Sequence, residues 1–174
     1  MSRLTYRAIT HDDLDLFAEF LADEEATRYL IVPRPHTRAE SSALLDRWVA
    51  QHEGDLGMYT ASLGAETVGW VGFVRRSLRW GDEVELGWSI RRSHWGRGFA
   101  TEAALHLRPL GPERVVHLIH PENARSIQVA RRLGAEVERE TTIRGKPVAV
   151  FVSLQASPEA ARGRAAPPQV GIYE

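Results

Sequence analysis

Cysteine is absent from this chain of 174 residues. Disulfide bonds, thiolate metal ligands and a cysteine nucleophile are therefore excluded. The chain also lacks a run of about 18 apolar residues, the length that a membrane-spanning helix needs. Its first residues, MSRLTYRAITHDD, lack the apolar core of a signal peptide. These absences predict a cytoplasmic protein with no membrane partner.

A net charge of either sign is nearly absent as well. The chain has 22 Lys and Arg against 23 Asp and Glu, so its formal net charge is -1. Nucleic-acid-binding proteins usually have a strong basic excess, and no nucleic-acid partner is expected here. A local basic patch for a small anion is compatible with this balance. The length predicts one globular domain that is large enough to bury a core without cross-links.

The pattern of apolar residues predicts the element order β-α-α-β-β-β-α-β-α-β-β. Strands are expected at residues 4–9, 58–63, 67–75, 83–90 and 114–119, and in a last hairpin around the turn RGK. Helices are expected after Thr10, from Thr37 to about Gln51, from about Arg97 to Leu107 and over 121–134. Pro109 is expected to end the third helix early. The predicted fold class is α+β, with helices on the faces of a mixed sheet.

The C-terminal stretch 155–174 differs in composition from the rest of the chain. Its sequence, QASPEAARGRAAPPQVGIYE, is rich in Ala, Pro and Gly. Such a composition is typical of a flexible tail, although Tyr173 is a candidate anchor if the stretch packs against the domain. We therefore predict a single domain over 1–154 and a tail over 155–174.

A basic, glycine-containing turn, RRSHWGRGFATEAA, joins the fourth predicted strand to a helix. Gly96 and Gly98 flank Arg97, and Arg91 and Arg92 lie just upstream. The first amides of a helix have no internal partner, and the helix dipole favours an anion there. The P-loop and dinucleotide-binding glycine patterns are both absent. The turn alone therefore allows either a phosphate-binding loop or a structural turn.

A second polar motif, HPENARSIQVARRLGA, follows the short apolar strand 114–119. Asn123 and Ser126 are three residues apart, so they share one face near the start of a helix. From that position both side chains can reach a cleft between strand ends. The alternative is that they cap the helix and face solvent.

Taken together, the two motifs resemble the GNAT superfamily of N-acetyltransferases, and most of all the branch of the ribosomal-protein N-terminal acetyltransferases. Residues 95–103 match W-G-[KR]-G-[YF]-A-T-E-A, and residues 120–134 match H-P-x-N-x-x-S-x-x-[VA]-x-x-[RK]-L-G. The resemblance covers roughly residues 3–154. It implies a GNAT-like central sheet, mostly antiparallel, with one splayed strand pair and flanking helices.

The resemblance implies acetyl-CoA as co-substrate. No metal is expected, because His117 and His120 are three residues apart on a strand and point to opposite faces. Main-chain N–H groups of residues 96–101 would hold the pyrophosphate, and pantetheine would lie between the splayed strands as an added pseudo-strand. Basic side chains beside the loop would add positive potential, and Asn123 would contact the pantetheine arm. The implied cofactor-binding residues are Trp88, Ser89, Ile90, Arg91, Trp95, Gly96, Arg97, Gly98, Phe99, Ala100, Thr101, Asn123 and Ser126.

Two residues are candidates for catalysis. Glu85 lies on the strand that would carry the thioester and is the predicted base, and the alternative is a surface glutamate. Glu83 shares its face, and Glu138 and Glu140 are weaker candidates. Many family members place a tyrosine where this chain has Ala130, so Ser126 is the predicted proton donor to the thiolate. Capping or coenzyme binding is the alternative role of Ser126.

These features predict acetyl transfer to a primary amine by direct attack in a ternary complex. The resemblance to the branch of ribosomal-protein acetyltransferases favours a peptide or protein N-terminus over a small amine. An α-amine with a pKa of about 7.8 is already partly neutral at physiological pH, so it needs a strong base less. The acceptor pocket is expected among residues 24–36 and 142–147. The rival interpretations are a non-catalytic acyl-CoA-binding regulatory module and a plain interaction domain. The chain is expected to be a monomer or a homodimer.

Overall fold

A computed structural model describes residues 2–155. Within this range the strands form one sheet in the order β1-β2-β3-β4-β5-β7-β6. The strands are β1 Thr5–Ala8, β2 Met58–Leu63, β3 Glu66–Leu78, β4 Gly81–Ile90, β5 Arg114–Ile119, β6 Glu136–Ile143 and β7 Lys146–Leu154. The α-helices are α1 Leu14–Ala22, α2 Glu24–Thr27, α3 Arg38–Ala50, α4 Phe99–Leu107 and α5 Ala124–Arg132.

This architecture confirms the predicted fold class. Neighbouring strands pair antiparallel except β4 and β5, which are parallel. A parallel pair needs a crossover connection, and here the crossover is α4. The predicted tail lies outside the described residues, apart from Gln155. No helix in the described range is long and apolar enough to span a membrane.

The helices begin and end where local side chains favour it. Thr37 and Glu40 form the predicted capping box of α3, with the carboxylate of Glu40 accepting from the Thr37 amide at 2.8 Å. The short helix α2 was not predicted, because residues 23–36 were interpreted as a connection. Asp23 starts α2 by accepting from the amides of Glu25 and Ala26. α4 ends at Leu107, as Pro109 predicted, and a 3₁₀ turn follows.

The alternation of side chains along β3 and β4 divides the core into two layers. One layer packs beneath α4 and includes Leu86, Phe99, Ala103 and Val115. The other packs beneath α1 and α3 and includes Phe17, Leu45, Trp70 and Val74. Both layers are closed by apolar side chains that are almost fully buried. The sheet between them is therefore a rigid support for the groups at its strand ends.

Candidate active site

The parallel strands β4 and β5 part soon after they meet. Their pairing within the described chain consists of one register position, Glu85 opposite Val116, whereas β4 pairs with β3 along its whole length. The carbonyl of Leu86 bonds the His117 imidazole at 2.9 Å, and the carbonyl of Ile90 accepts from the Trp95 indole at 2.7 Å. Peptide groups of alternate β4 residues thus face β5. They line an open gap, which agrees with the predicted splay.

The turn between β4 and α4 has the geometry of an anion site. Gly96 and Gly98 have φ of 75° and 81°, and Gly98 is the N-cap of α4 without a side-chain capping bond. A Cβ added to Gly96 would meet nothing within 4 Å, so this position needs glycine for its backbone conformation and is open to a ligand. Within residues 2–155, the amides of residues 99–101 have no hydrogen-bond acceptor. Unpaired amides at a helix start bind phosphate groups well.

Several arginines surround this turn, and they are not all the predicted ones. The Arg97 guanidinium stacks on Phe99, with 4.8 Å from Cζ to the ring centroid. Arg125 stacks on Trp95 at 4.4 Å, and Arg132 donates to the Thr101 hydroxyl at 3.3 Å. Sequence reasoning missed these two arginines of α5. They are seven residues apart, hence on one helix face, and this spacing was the available signal.

The side chain of Arg91 does not point toward the turn. Its guanidinium donates to the carboxylate of Glu19 at 2.9 Å and to the carbonyl of Thr67 at 3.3 Å, and its amide bonds the carbonyl of Val68. Arg91 therefore holds the end of β4 against β3 and α1. The positive potential predicted from Arg91 is already compensated by Glu19.

Asn123 and Ser126 occupy the start of α5, beside the gap. The Asn123 Oδ1 accepts from the Ser126 amide at 3.2 Å, so the capping role that sequence analysis left open is present. The Asn123 NH₂ group is not used by this cap. Across the gap, the Trp88 indole N–H donates to the Ser126 Oγ at 3.3 Å. The Ser126 hydroxyl keeps its own proton for another acceptor.

Glu83 and Glu85 of β4 are each paired with an arginine. The Glu85 side chain is 12% exposed and accepts from Arg76 Nε at 2.6 Å. Glu83 pairs with Arg114, which also binds Glu138. The pKa of Glu138 is lowered, first by the Arg114 hydrogen bond, and Glu140 is exposed on β6. Glu85 alone of these lies at the position where β4 and β5 separate.

A pocket of about 310 Å³ lies in the first of the two predicted acceptor regions. Glu24, Glu25, Arg28 and Pro33 line it. Tyr29, which follows Arg28 in the sequence, packs against His120, with 5.3 Å between the ring centroids. His120 directly follows β5. The segment after α2 therefore lies against the end of β5, next to the mouth of the gap.

No group of three or more His, Asp or Glu side chains within the described residues is arranged to hold an ion. His117 and His120, which lie three residues apart, have different surroundings. His117 is buried, whereas His120 is half-buried beside Tyr29.

A mixed sheet with one splayed parallel pair and a glycine turn at the helix start defines a protein that binds an extended, anionic ligand. Residues 3–136 match the family model described as acetyltransferase (GNAT) domain. The chain belongs to this family, which confirms the resemblance seen in its motifs. Its class is that of an acetyl-CoA-dependent acyltransferase.

Individual relatives agree with this family. A Bacillus licheniformis protein named uncharacterized N-acetyltransferase p20 is 28% identical over 145 residues, covering 78% of this chain and 80% of the relative. An acetyltransferase structure from Agrobacterium tumefaciens is 27% identical with a TM-score of 0.72, covering 87% and 91% of the two chains. The structure of RimL, a ribosomal L7/L12 alpha-N-protein acetyltransferase in complex with coenzyme A, shares the fold at 19% identity, with a TM-score of 0.69 over 87% and 93% of the two chains.

Proposed function

We propose that this chain transfers the acetyl group of acetyl-CoA to a primary amine by direct attack in a ternary complex. The observation that carries this proposal is the continuity of the gap with the glycine turn. The indole of Trp95, the residue before Gly96 in the turn, bonds the carbonyl of Ile90, the last residue of β4, at 2.7 Å. One extended ligand can therefore lie along β4 with its phosphates at the start of α4.

The coenzyme would be held mainly by the backbone. The amides of residues 96–101 would bind its pyrophosphate, because they meet no acceptor among the described residues and the helix dipole favours negative charge. Its pantetheine arm would take the place of the missing strand contacts between β4 and β5, bonding the peptide groups of Trp88 and Ile90. The free NH₂ group of Asn123 faces the same arm in this proposal. Arg97, Arg125 and Arg132 would supply positive charge.

The reaction would proceed without a covalent intermediate on the protein. The neutral amine attacks the thioester carbon, a C–N bond forms and the C–S bond breaks. The amine proton passes to Glu85, directly or through water, and the leaving thiolate takes a proton from the Ser126 hydroxyl. Ser126 regains a proton from water, and Glu85 releases its proton to the solvent. Proton transfers by positioned groups contribute about 10² to 10⁴ in rate. The ion pair of Glu85 with Arg76 orients this carboxylate before the amine arrives.

We propose a peptide or protein N-terminus as the preferred acceptor. An α-amine needs less assistance in losing its proton than a lysine side chain does. RimL, which shares this fold, is named for acetylation of a protein α-amine. A small cationic amine is the second candidate, because the pocket is lined by two carboxylates, Glu24 and Glu25, against one arginine, Arg28. The domain division at residue 154, a cytoplasmic location and a monomeric or homodimeric state belong to the same proposal.

Thiol release from acetyl-CoA tests the function directly. The acceptors would be short peptides with a free α-amine, the same peptides with a blocked N-terminus, and small polyamines and amino sugars. We expect release with the free peptides and none with the blocked ones. Release with the small amines alone would assign the second candidate. Acetyl-CoA binding measured by calorimetry without any release would favour the regulatory module, and absence of binding would contradict the proposal.

A further inference from the structure

A chain of buried polar groups lies beneath the point where β4 and β5 part. Arg108, Ser153 and His117 are exposed by 6%, 1% and 1% respectively. Arg108 Nε lies 3.1 Å from Ser153 Oγ, and the same oxygen lies 3.0 Å from His117 Nε2. His117 Nδ1 lies 2.9 Å from the carbonyl oxygen of Leu86. These hydrogen bonds thus connect β4, β5 and β7 with the 3₁₀ turn that follows α4.

The direction of each hydrogen bond in this series follows from the chemistry of the first and last groups, the Arg108 guanidinium and the Leu86 carbonyl. A guanidinium can only donate and a carbonyl can only accept. Arg108 therefore donates to Ser153, Ser153 donates its hydroxyl proton to His117 Nε2, and His117 Nδ1–H donates to Leu86. This assignment makes His117 a neutral imidazole in one defined tautomer. Every hydrogen-bonding atom of its ring is used.

The surroundings of His117 keep it neutral. Burial lowers the pKa of His117 to about 4, and the charge of Arg108 acts in the same direction against the opposing effect of the Leu86 carbonyl. Arg108 has no carboxylate partner within residues 2–155. Its other acceptors are the carbonyls of Pro112, Glu113 and Ser153. A neutral His117 can accept from Ser153 and donate to Leu86 at the same time.

The position of His117 is next to the last contact between the two strands. Glu85 and Val116 are the registered pair, and Leu86 and His117 come directly after them. In a continued parallel ladder, the Leu86 carbonyl would accept from a backbone N–H of β5. Here it accepts from the His117 imidazole instead, so this main-chain contact between the two strands is absent.

We propose that His117 is a positioning residue that opens the coenzyme gap and sets its direction. Its imidazole replaces the next main-chain contact between β4 and β5, so the gap begins at this residue. Its ring also packs against Trp88, with 5.3 Å between the ring centroids, and Trp88 carries the peptide groups proposed to bind pantetheine. This inference rests on the proposed function, because it assigns His117 a role toward the coenzyme arm that lies in the gap.

The role proposed for His117 concerns the pantetheine arm of coenzyme A and not its pyrophosphate. The glycine turn belongs to the loop before α4 and makes no hydrogen bond with His117. Loss of the His117 imidazole should therefore weaken the pantetheine contacts and leave the pyrophosphate contacts intact. Coenzyme A and 3′-phospho-ADP, which lacks pantetheine, distinguish the two. A residue that only stabilises the core would not produce a difference between these ligands.

The test compares His117→Leu, His117→Gln and the core variant Leu45→Ala in calorimetric titrations. Leu45 is 1% exposed in the layer beneath α1 and α3, so Leu45→Ala controls for lost stability on the other face. We expect His117→Leu to bind coenzyme A about tenfold more weakly with unchanged affinity for 3′-phospho-ADP. His117→Gln should recover most of this loss, since its amide can both donate to Leu86 and accept from Ser153. Leu45→Ala should bind both ligands like the wild type.

Equal affinity of His117→Leu and wild type for coenzyme A would overturn the inference. An equal loss for both ligands in a folded variant would also overturn it. If His117→Leu does not fold, Ser153→Ala takes its place, because it keeps the ring and removes the hydroxyl that fixes the tautomer. A loss of about threefold for coenzyme A alone is then expected, and no loss overturns the inference. A wild-type protein that binds neither ligand would instead contradict the proposed function.

Discussion

The indole N–H of Trp88 donates to the Oγ of Ser126 at 3.3 Å, which joins β4 to α5 across the gap between β4 and β5. The Ser126 oxygen is thereby used as an acceptor, and its proton is free to be donated. A hydroxyl that accepts a hydrogen bond becomes a better donor, because neighbouring bonds polarise one another. The pair therefore presents a prepared O–H group at the place where the proposed reaction releases a thiolate.

Ser126→Ala should lower kcat by about 10²-fold, because the leaving thiolate loses its proton donor. Coenzyme A affinity should stay near that of the wild type, since most of the proposed contacts come from the backbone. Trp88→Phe removes the indole N–H and keeps an aromatic ring, so it should lower kcat by a smaller factor. Ser126→Thr, which keeps the hydroxyl, is the control. Steady-state kinetics and calorimetry check these values, and an unchanged kcat in Ser126→Ala would remove Ser126 from the mechanism.

Glu85→Gln should lower kcat by at least about tenfold without changing coenzyme A affinity, because a neutral amide cannot take the amine proton. Glu83→Gln is a matched control. Glu83 is as buried as Glu85, with a side chain that is 12% exposed, and it is likewise paired with an arginine. Glu83 precedes the position where β4 and β5 part, so the kcat of Glu83→Gln should stay near the wild-type value. Equal kcat for Glu85→Gln and wild type would leave Glu85 as a structural partner of Arg76.

Gly96→Ala should weaken coenzyme A binding, because a methyl group would stand where the phosphates approach the main chain. Gly54→Ala is the control. Gly96 and Gly54 have φ of 75° and 57°, and an added Cβ meets nothing within 4 Å at either position. Both variants should lose about 1 kcal/mol of folding stability through backbone strain. Only Gly96→Ala should lose affinity in calorimetry, and equal affinities in both variants would argue against a phosphate at this turn.

Local rules explain which parts of this structure could be predicted from the sequence. The bounds of β2 and β5, the capping box at Thr37 and the end of α4 before Pro109 follow from the period of apolar residues and from helix-end chemistry. The glycine turn was recognised for the same reason. α2 was missed because a helix of one turn has no detectable period.

Contacts between distant segments could not be predicted in the same way. Arg91 precedes the glycine turn in sequence, yet its guanidinium pairs with Glu19 on α1. Arg132 is far from the turn in sequence, yet it bonds Thr101. The role of His117 depends on Ser153 and Arg108, which meet it only through the sheet order β4-β5-β7. Such pairings are decided by tertiary packing.

The buried His117 predicts a specific dependence of stability on pH. The pKa of His117 is about 4 in the folded protein, against 6.5 for an ordinary histidine. Between these values the unfolded chain binds a proton that the folded chain does not bind. The contribution of His117 to the free energy of unfolding is therefore complete above pH 6.5 and falls as the pH drops toward 4, by at most about 3 kcal/mol.

His117→Gln carries no titrating group at this position, so its free energy of unfolding should fall less steeply over the same window. Urea unfolding of both proteins between pH 7 and pH 4 measures this difference. Asp13 and Glu102, whose pKa values are lowered by arginine partners despite the opposing effect of burial, titrate in both proteins and cancel in the comparison. A difference that does not change with pH would mean that His117 is not held neutral in the core, and the hydrogen-bond directions assigned to Ser153 and Leu86 would then be wrong.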